Sequence, residues 1–310
     1  MNTFRRILPL LLSALCLAAM FLFAAFSDRY LSVVAEGIAL WAAVVLPSLF
    51  PFFVLSSLVV ELGLAGYLGR LLEPVMRPLF NVSGACASAF ALGFIGGYPV
   101  GAKTAISLYE KGMCSKTEAE RLLAFSNNSN PVFLISVLGL GVFGSVRVGI
   151  WLWLIHLLSA LLTGLCFRQY QTGPAGPQNV TRSSPFHTVS FSSALVESVR
   201  SACSGMLSVC AFVLFFYVLA RPLSTLSCPL GPALVGATEL FSLTPLLTAD
   251  RFGFVLAAAA SGWGGLSVLC QTAAVLEGSG LSPRPCVLGK AVQGLFSLGL
   301  ALLLSSYVLS

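Results

Sequence analysis

Apolar residues run along the chain in blocks of about 20, separated by short clusters of charge, glycine or proline. An apolar helix of about 20 residues crosses a hydrocarbon core of about 30 Å, so the blocks predict membrane spans. The first block, Ile7 to Phe26, follows Arg5 and Arg6. It is longer than the apolar part of a typical signal peptide and lacks a clear A-x-A site, so it reads as a retained signal-anchor helix. The second, Leu31 to Val60, contains Glu36, Pro47 and Pro51. Proline frees a carbonyl and kinks a span unless neighbours re-satisfy it. Leu62 to Phe80 carries Arg70, Glu73 and Arg77 beside Pro74 and Pro78, which is too charged to cross. It predicts an amphipathic helix lying in the interface.

Ser83 to Tyr109 has Gly93, Gly96, Gly97, Pro99 and Gly101 near its middle. A continuous span does not need that punctuation, whereas two half-helices meeting at a glycine-rich tip do, so the segment predicts a re-entrant hairpin. The polar turn Glu110 to Arg121 follows. Leu122 to Phe143 is then a span interrupted by Asn127-Asn128-Ser129-Asn130-Pro131, and Val148 to Phe167 a span interrupted by His156. After a polar stretch, Arg168 to Ser193, come a span from about Leu195 to Ala220, a shorter stretch from Cys228 to Leu247, a second glycine-punctuated segment from Phe252 to Leu276, and a last span from about Pro285 to Leu309.

Composition agrees: 57% of residues are hydrophobic and 9% charged, with a mean hydropathy of +0.93. A soluble domain carries about 25% charged residues, and a chain this poor in charge must face lipid. The net charge of +6 is dispersed at the ends of apolar runs, which is no nucleic-acid signal. With Arg5 and Arg6 inside, Arg70, Arg77, Lys111, Lys116, Arg121, Arg168, Arg182 and Arg200 all fall inside and Asp250-Arg251 outside. That pattern fits six crossings plus two re-entrant hairpins, or about eight spans if the hairpins cross. The nine cysteines show no C-x-x-C pair and mostly lie in apolar segments, where they read as small buried hydrophobes. With two histidines in the chain, neither a metal site nor a cofactor is implied.

The two glycine-punctuated segments align without gaps, Gly96 to Ala105 on Gly264 to Ala273, with Gly112 on Gly280 at the same offset. Glu73 before the first has a rough counterpart in Glu239 before the second. In the charge-derived topology one hairpin opens from the cytoplasm and the other from outside, so the copies are inverted. Inverted repeats with Gly/Pro-interrupted segments point to a transporter's midplane site. A half-helix that stops inside the membrane leaves backbone groups that lipid cannot satisfy and a polar substrate or ion can.

Gly93 to Phe133, GFIGGYPVGAKTAISLYEKGMCSKTEAERLLAFSNNSNPVF, preceded by LLEPVMRPLFNVSG, resembles the sporulation integral membrane protein YlbJ family, one of the nucleoside-recognition or Gate proteins. The resemblance is specific in GGYPVGAK and NNSNP and looser over most of the chain; the family pattern usually has serine-glycine where this chain has Gly96-Gly97. It implies a fold similar to the hairpin-containing parts of concentrative nucleoside transporters, and a role in moving dipicolinate into the developing spore. The expected organisation is an N-terminal transmembrane helix (1–30), a first Gate-like repeat (31–145), a connecting helix (146–168), a polar cytoplasmic loop (169–194) and a second, inverted repeat (195–310). The expected location is a bacterial inner membrane, the mother-cell or outer forespore membrane if the sporulation resemblance carries over.

Candidate substrate-binding residues follow. Lys103, near the first tip, carries a charge that costs about 2.5–3.5 kcal/mol inside a membrane and can neutralise a carboxylate; the plainer reading is snorkelling, or pairing with Glu110 or Glu118. Gln271, its repeat counterpart, is uncharged. Asn127, Asn128, Ser129 and Asn130 offer amides and a hydroxyl beside the helix-breaking Pro131; the plainer reading is helix–helix hydrogen bonding at about 0.6 kcal/mol per contact. Gly96, Gly97, Gly264 and Gly265 can admit a ligand to the backbone or serve tight packing, and Tyr98, Pro99, Thr104 and Thr272 flank them. Glu239 and Glu36 are candidate ion or proton sites or interfacial charges; His156 reads as a packing residue. The chain shows no H-E-x-x-H, no paired aspartates and no serine–histidine set, so an enzyme is not expected. A transporter of a small polar or anionic metabolite is, with a non-transport assembly or structural protein, or a nucleoside transporter, as the alternatives. The implied partners are the lipid bilayer, a small-molecule substrate, a coupling ion and a second copy of the chain.

Overall fold

A computed structural model describes residues 2–63, 65–171, 190–226 and 228–310, so the polar loop expected at 169–194 lies largely outside the described residues. Regular structure among the described residues is helical, without strands. The helices are α1 (Asn2–Ala25), α2 (Ser27–Glu61), α3 (Ala65–Phe80), α4 (Cys86–Gly96), α5 (Val100–Glu110), α6 (Lys116–Leu123), the π-helical α7 (Phe133–Val142), α8 (Val146–Phe167), α9 (Phe191–Ser224), α10 (Leu230–Thr238), α11 (Leu240–Leu243), α12 (Arg251–Trp263), α13 (Gly265–Leu276) and α14 (Arg284–Val308). Among the described residues, five stretches are long and apolar enough to cross a membrane: Ser27–Glu61, Val146–Phe167, Phe191–Ser224, Arg251–Leu276 and Arg284–Val308. Leu10, Leu15, Met20 and Phe21 of α1 are exposed, as a helix bathed in lipid leaves them. The chain is a polytopic integral membrane protein.

Hydrogen bonds at the helix ends fix the direction of each element. Arg121 donates to the carbonyls of Asn81 (2.7 Å) and Tyr170 (2.8 Å), and Asn81 donates to that of Arg168 (3.3 Å). The amide of Ser282 donates to Glu120 (3.0 Å). These contacts gather the ends of α3 and α8, the short helix α6 and the α13–α14 loop at one basic end, where the charge pattern put the cytoplasm. At the opposite end, Arg147 donates to the carbonyl of Tyr307 (3.3 Å) and Arg251 to the hydroxyl of Ser305 (3.0 Å), joining the starts of α8 and α12 to the end of α14.

α4 and α5 pack on one another as a helical hairpin, and its base is held at the basic end by Ser83, whose amide donates to Glu118 (2.8 Å). Each arm of 11 residues rises roughly 16 Å, half of the ~30 Å core. Its tip is Gly97-Tyr98-Pro99.

The second glycine-punctuated segment takes a different form. Phe252 to Leu276 lies in a broken helix, α12–α13, that runs from the far end to the basic end and turns at Gly264 (φ +84°) and Gly265 (φ +85°). α12 lies along α14 and α8, and α13 along α9 and α5. The two left-handed glycines make a break that few other residues tolerate, and a break inside a crossing needs the same residues as a hairpin tip. The second hairpin is instead α10–α11, entering from the far end and turning at Glu239.

Long helix, hairpin, broken helix and closing helix therefore occur twice. α2, α4–α5, α6–α7 and α8 correspond to α9, α10–α11, α12–α13 and α14 run in the opposite sense. Gly264-Gly265 thus answers to the Ser126–Asn130 break, not to Gly96-Gly97, and the gap-free alignment of the two is displaced by one element. Glu73, paired with Arg77 on α3, has no positional likeness to Glu239 at a hairpin turn. α2 and α9 pack together, close enough that a Cβ on Gly37 would lie 2.9 Å from Leu214. α2 widens to a π turn, Trp41–Val45, just before Pro47, which cannot donate to the preceding turn.

Candidate functional site

The break between α6 and α7 sits where both halves meet. Pro131 starts the following helix, and Asn130, which the proline pushes away from helical geometry, caps it by accepting from the amide of Phe133 (2.8 Å). Glycines let neighbouring backbones close on the break. A Cβ added at Gly93 or Gly101 of the hairpin arms would lie 1.8 or 2.0 Å from the carbonyl oxygen of Ser126, and one at Gly289 of α14 would lie 2.2 Å from that of Ala124.

The polar side chains of the break are buried and mostly engaged within the protein. Asn127 donates to the hydroxyl of Thr272 (2.8 Å), Asn128 to the carbonyl of Phe125 (2.7 Å) and Asn130 to the carbonyl of Ser48 (2.7 Å). The amide of Ser129 donates to Nε2 of His156 (3.1 Å). Gln293 of α14 donates to Oδ1 of Asn128 (2.9 Å). The hydroxyl of Tyr98 donates to the carbonyl of Ser261 (2.9 Å), and Gly264 faces that hydroxyl, its added Cβ falling 3.3 Å away. Helix–helix hydrogen bonding accounts for the asparagine amides; the hydroxyl of Ser129 and Oδ1 of Asn127 are buried without partners. A cavity of about 10 Å³, scarcely room for one water, lies among Tyr98, Ser129, Asn130, Gln271, Phe133 and Phe241.

Lys103 and Thr104 face elsewhere. They line a cavity of about 190 Å³ between α5, α2 and α9, with Ser56, Ser57, Ser107, Ser201 and Glu61 on its wall. This is an order of magnitude more than the ~10–15 Å³ one water needs. Glu118 is occupied at the hairpin base, accepting from the amides of Ser83 and Ser115, and Lys103 forms no ion pair among the described residues. The result is a half-buried ammonium on a cavity wall that also carries several hydroxyls, groups able to donate to a carboxylate. A smaller cavity of about 40 Å³ lies towards the far end, lined by Tyr217, Arg221, Ser224 and Ser242.

The expected residues therefore fall into three groups. Tyr98, Asn127, Asn128, Ser129, Asn130, Gln271, Thr272 and Gly264 meet at the centre. Lys103 and Thr104 line the larger cavity. Gly96 backs it from behind, where an added Cβ would lie 2.9 Å from the Ser56 hydroxyl. Gly97 packs on Leu49 and Asn130, and Pro99 follows Tyr98 through a cis bond. Gly265 packs on Glu239, whose carboxylate accepts from the amides of Phe241 and Ser242 and the Ser242 hydroxyl, so both oxygens serve as the cap of α11. Glu36 pairs with Arg221 (3.3 Å) on the flank of the smaller cavity.

One central residue went unmarked in the sequence. Lys290, fully buried in α14, donates to the hydroxyl of Tyr98 (3.0 Å), the main-chain carbonyl of Asn127 (3.0 Å) and Oε1 of Gln293 (2.8 Å). The signal that singled out Lys103, a lysine inside an apolar span, applies equally to Lys290 six residues into the last helix.

Comparison with known proteins agrees with this architecture. The family model for nucleoside-recognition Gate proteins matches residues 42–167, from α2 through the first hairpin and broken helix to α8. The sporulation integral membrane protein YlbJ of Bacillus subtilis (strain 168) is 31% identical over 315 aligned positions, covering 86% of this chain and 76% of that protein. No solved structure gives a significant match. With a Gate core, a buried polar break facing a hairpin tip, and identity to that relative along most of its length, the chain belongs to the YlbJ family of sporulation integral membrane proteins.

Proposed function

We propose that the protein is a secondary transporter of a small anionic metabolite, a carboxylate above all, which docks on Lys103. The observation that carries this reading is the Lys103 ammonium, which forms no ion pair among the described residues, lining a cavity of about 190 Å³ with four serine hydroxyls and the Glu61 side chain on its wall. An intramembrane charge of this kind costs about 2.5–3.5 kcal/mol, and an anionic cargo offsets it. Two features support movement of the cargo rather than storage. The halves are inverted copies, the arrangement in which one half rocks against the other around a fixed site. The larger cavity lies towards the basic end and the smaller one, with Arg221 on its wall, towards the far end, as two faces of one pathway would. The site is read as a carrier and not as a catalyst.

Dipicolinate, a small aromatic dicarboxylate, is the first cargo to try, because the family resemblance implies it and a sporulation protein is the curated relative. The corresponding location is a membrane around the developing spore. The test is uptake of labelled dipicolinate, a nucleoside and a monocarboxylate into proteoliposomes of the purified protein. The expected result is uptake of carboxylates only, lost in Lys103→Ala and retained in part in Lys103→Arg. Uptake by neither variant nor wild type with any carboxylate would reject the reading.

A further inference from the structure

The set of atoms around Lys290 is unusual for a buried charge. Its three acceptors, the Tyr98 hydroxyl, the Asn127 main-chain carbonyl and the Gln293 amide oxygen, are all neutral oxygens, and the face of the Tyr98 ring lies 4.9 Å away. No carboxylate pairs with Lys290 among the described residues. A salt-bridged lysine would be expected to show at least one acidic partner; a cage of hydroxyl, carbonyl and amide oxygens is instead the donor set of a monovalent metal cation.

The place of the cage matters as much as its chemistry. In transporters built from inverted repeats, unwound backbone carbonyls near the midplane are where coupling cations bind. Here the carbonyl is that of Asn127, in the break between α6 and α7. Tyr98 belongs to the first hairpin tip and hands its own proton to the carbonyl of Ser261 (2.9 Å), just before the Gly264 break of α12–α13. Gln293 in turn donates to Asn128 in the first break. One ammonium thus bonds directly to the hairpin tip and the first break, and reaches α12–α13 through the Tyr98 hydroxyl.

We propose that the Lys290 ammonium is a tethered replacement for a dissolved coupling cation, seated in an oxygen cage that a sodium or potassium ion would otherwise need to fill. Being covalently held, it keeps the tip and the breaks assembled at every sodium and potassium concentration. Resting on the transport reading, it follows that no sodium or potassium ion needs to enter this cage while the anion is carried.

Thermal unfolding of the purified full-length protein tests the cage without any cargo, so its outcome is independent of whether a carboxylate is carried. Wild-type protein is compared in sodium, potassium and N-methyl-glucamine chloride at equal ionic strength. The expected result is the same midpoint in all three. Lys290→Ala opens the cage and leaves a stem-shaped gap, and its lowered midpoint should rise saturably with sodium, potassium or propylammonium but not with N-methyl-glucamine. Lys290→Met, which fills the gap without a charge, should respond to none. A wild-type midpoint raised specifically by sodium or potassium would overturn the proposal even if neither variant folds, because a dissolved ion would then be required after all. A folded Lys290→Ala that no small cation stabilises would overturn it as well.

Discussion

Asn127 donates its side-chain amide to the hydroxyl of Thr272 across 2.8 Å, although 145 residues separate them. The bond joins the break of the first half to α13 of the second, and both groups are buried. Thr272 also donates to the carbonyl of Val268 (2.8 Å), so its hydroxyl is fully used, whereas Oδ1 of Asn127 has no partner. Asn127→Ala and Thr272→Val should each destabilise the protein. Their double-mutant cycle in detergent unfolding should return a coupling of about 0.6 kcal/mol, the average for hydrogen bonds between membrane helices, and at most about 1.7 kcal/mol. A coupling of zero would show that the contact contributes nothing to joining the halves.

Glycines around the break should be intolerant in a graded, position-specific way. Gly93→Ala, Gly101→Ala and Gly289→Ala each place a Cβ within 2.2 Å of a main-chain oxygen that cannot rotate away. Overpacking of this kind costs about 1–3 kcal/mol or more, and the backbone at the break has no slack to absorb it. Gly299, in α14 with open space around its Cβ position, is the control. There alanine should be neutral or gain up to about 1 kcal/mol of helix propensity. Yield of monodisperse protein from membranes separates the two classes.

If a carboxylate docks on Lys103 as proposed, Gly205→Ala should weaken its binding while leaving the fold intact. The added methyl would lie 3.0 Å from Nζ of Lys103 and 3.2 Å from the Phe53 ring. The lysine end is mobile and can yield, so the cost falls on the placement of the ammonium and not on packing. The expected readout is a rise of several-fold in the apparent Kd for the transported carboxylate with an unchanged unfolding midpoint.

Asp250 caps α12 at the far end by accepting from the amide of Gly253 (2.8 Å). That bond, helped by the Thr248 hydroxyl, holds its carboxyl below the usual aspartate range. A carboxylate with a depressed pKa stabilises the fold fully above the ordinary value near 3.9, and the contribution is lost as pH falls through the lowered value. Asp250→Ala should therefore cost about 1 kcal/mol near neutral pH, the usual cost of losing a cap. The gap between wild type and variant should close below about pH 4 in thermal scans.

How much of this was legible beforehand depends on the kind of signal. Spans and a basic end follow from hydropathy and charge, because lipid punishes any exposed polar residue and leaves a strong mark on every element. The interruption at Gly97-Tyr98-Pro99, where α4 turns into α5, was legible too. The second hairpin was not. Gly264-Gly265 satisfies a broken crossing as well as a tip, and the true second hairpin, Leu230 to Leu246, turns at Glu239 with its side chain capping the next turn, a role no glycine pattern announces. Lys290 was legible in principle and passed over, because it sits in an otherwise uninterrupted apolar helix.

Sequence by itself determined that this chain lives in a membrane, that its helices are interrupted in both halves, and that asparagine-rich polarity is buried at one of those interruptions. Each follows from local composition, which the bilayer reads residue by residue. Only the tertiary structure decided which interruption faces which. It decided that the asparagine amides bond to the protein itself, that Lys103 lines a cavity while Lys290 lies fully buried, and that a cage of neutral oxygens closes around the second. Those outcomes depend on polar atoms, mostly of side chains, brought within about 3 Å across more than 100 residues, and no local pattern encodes such a distance.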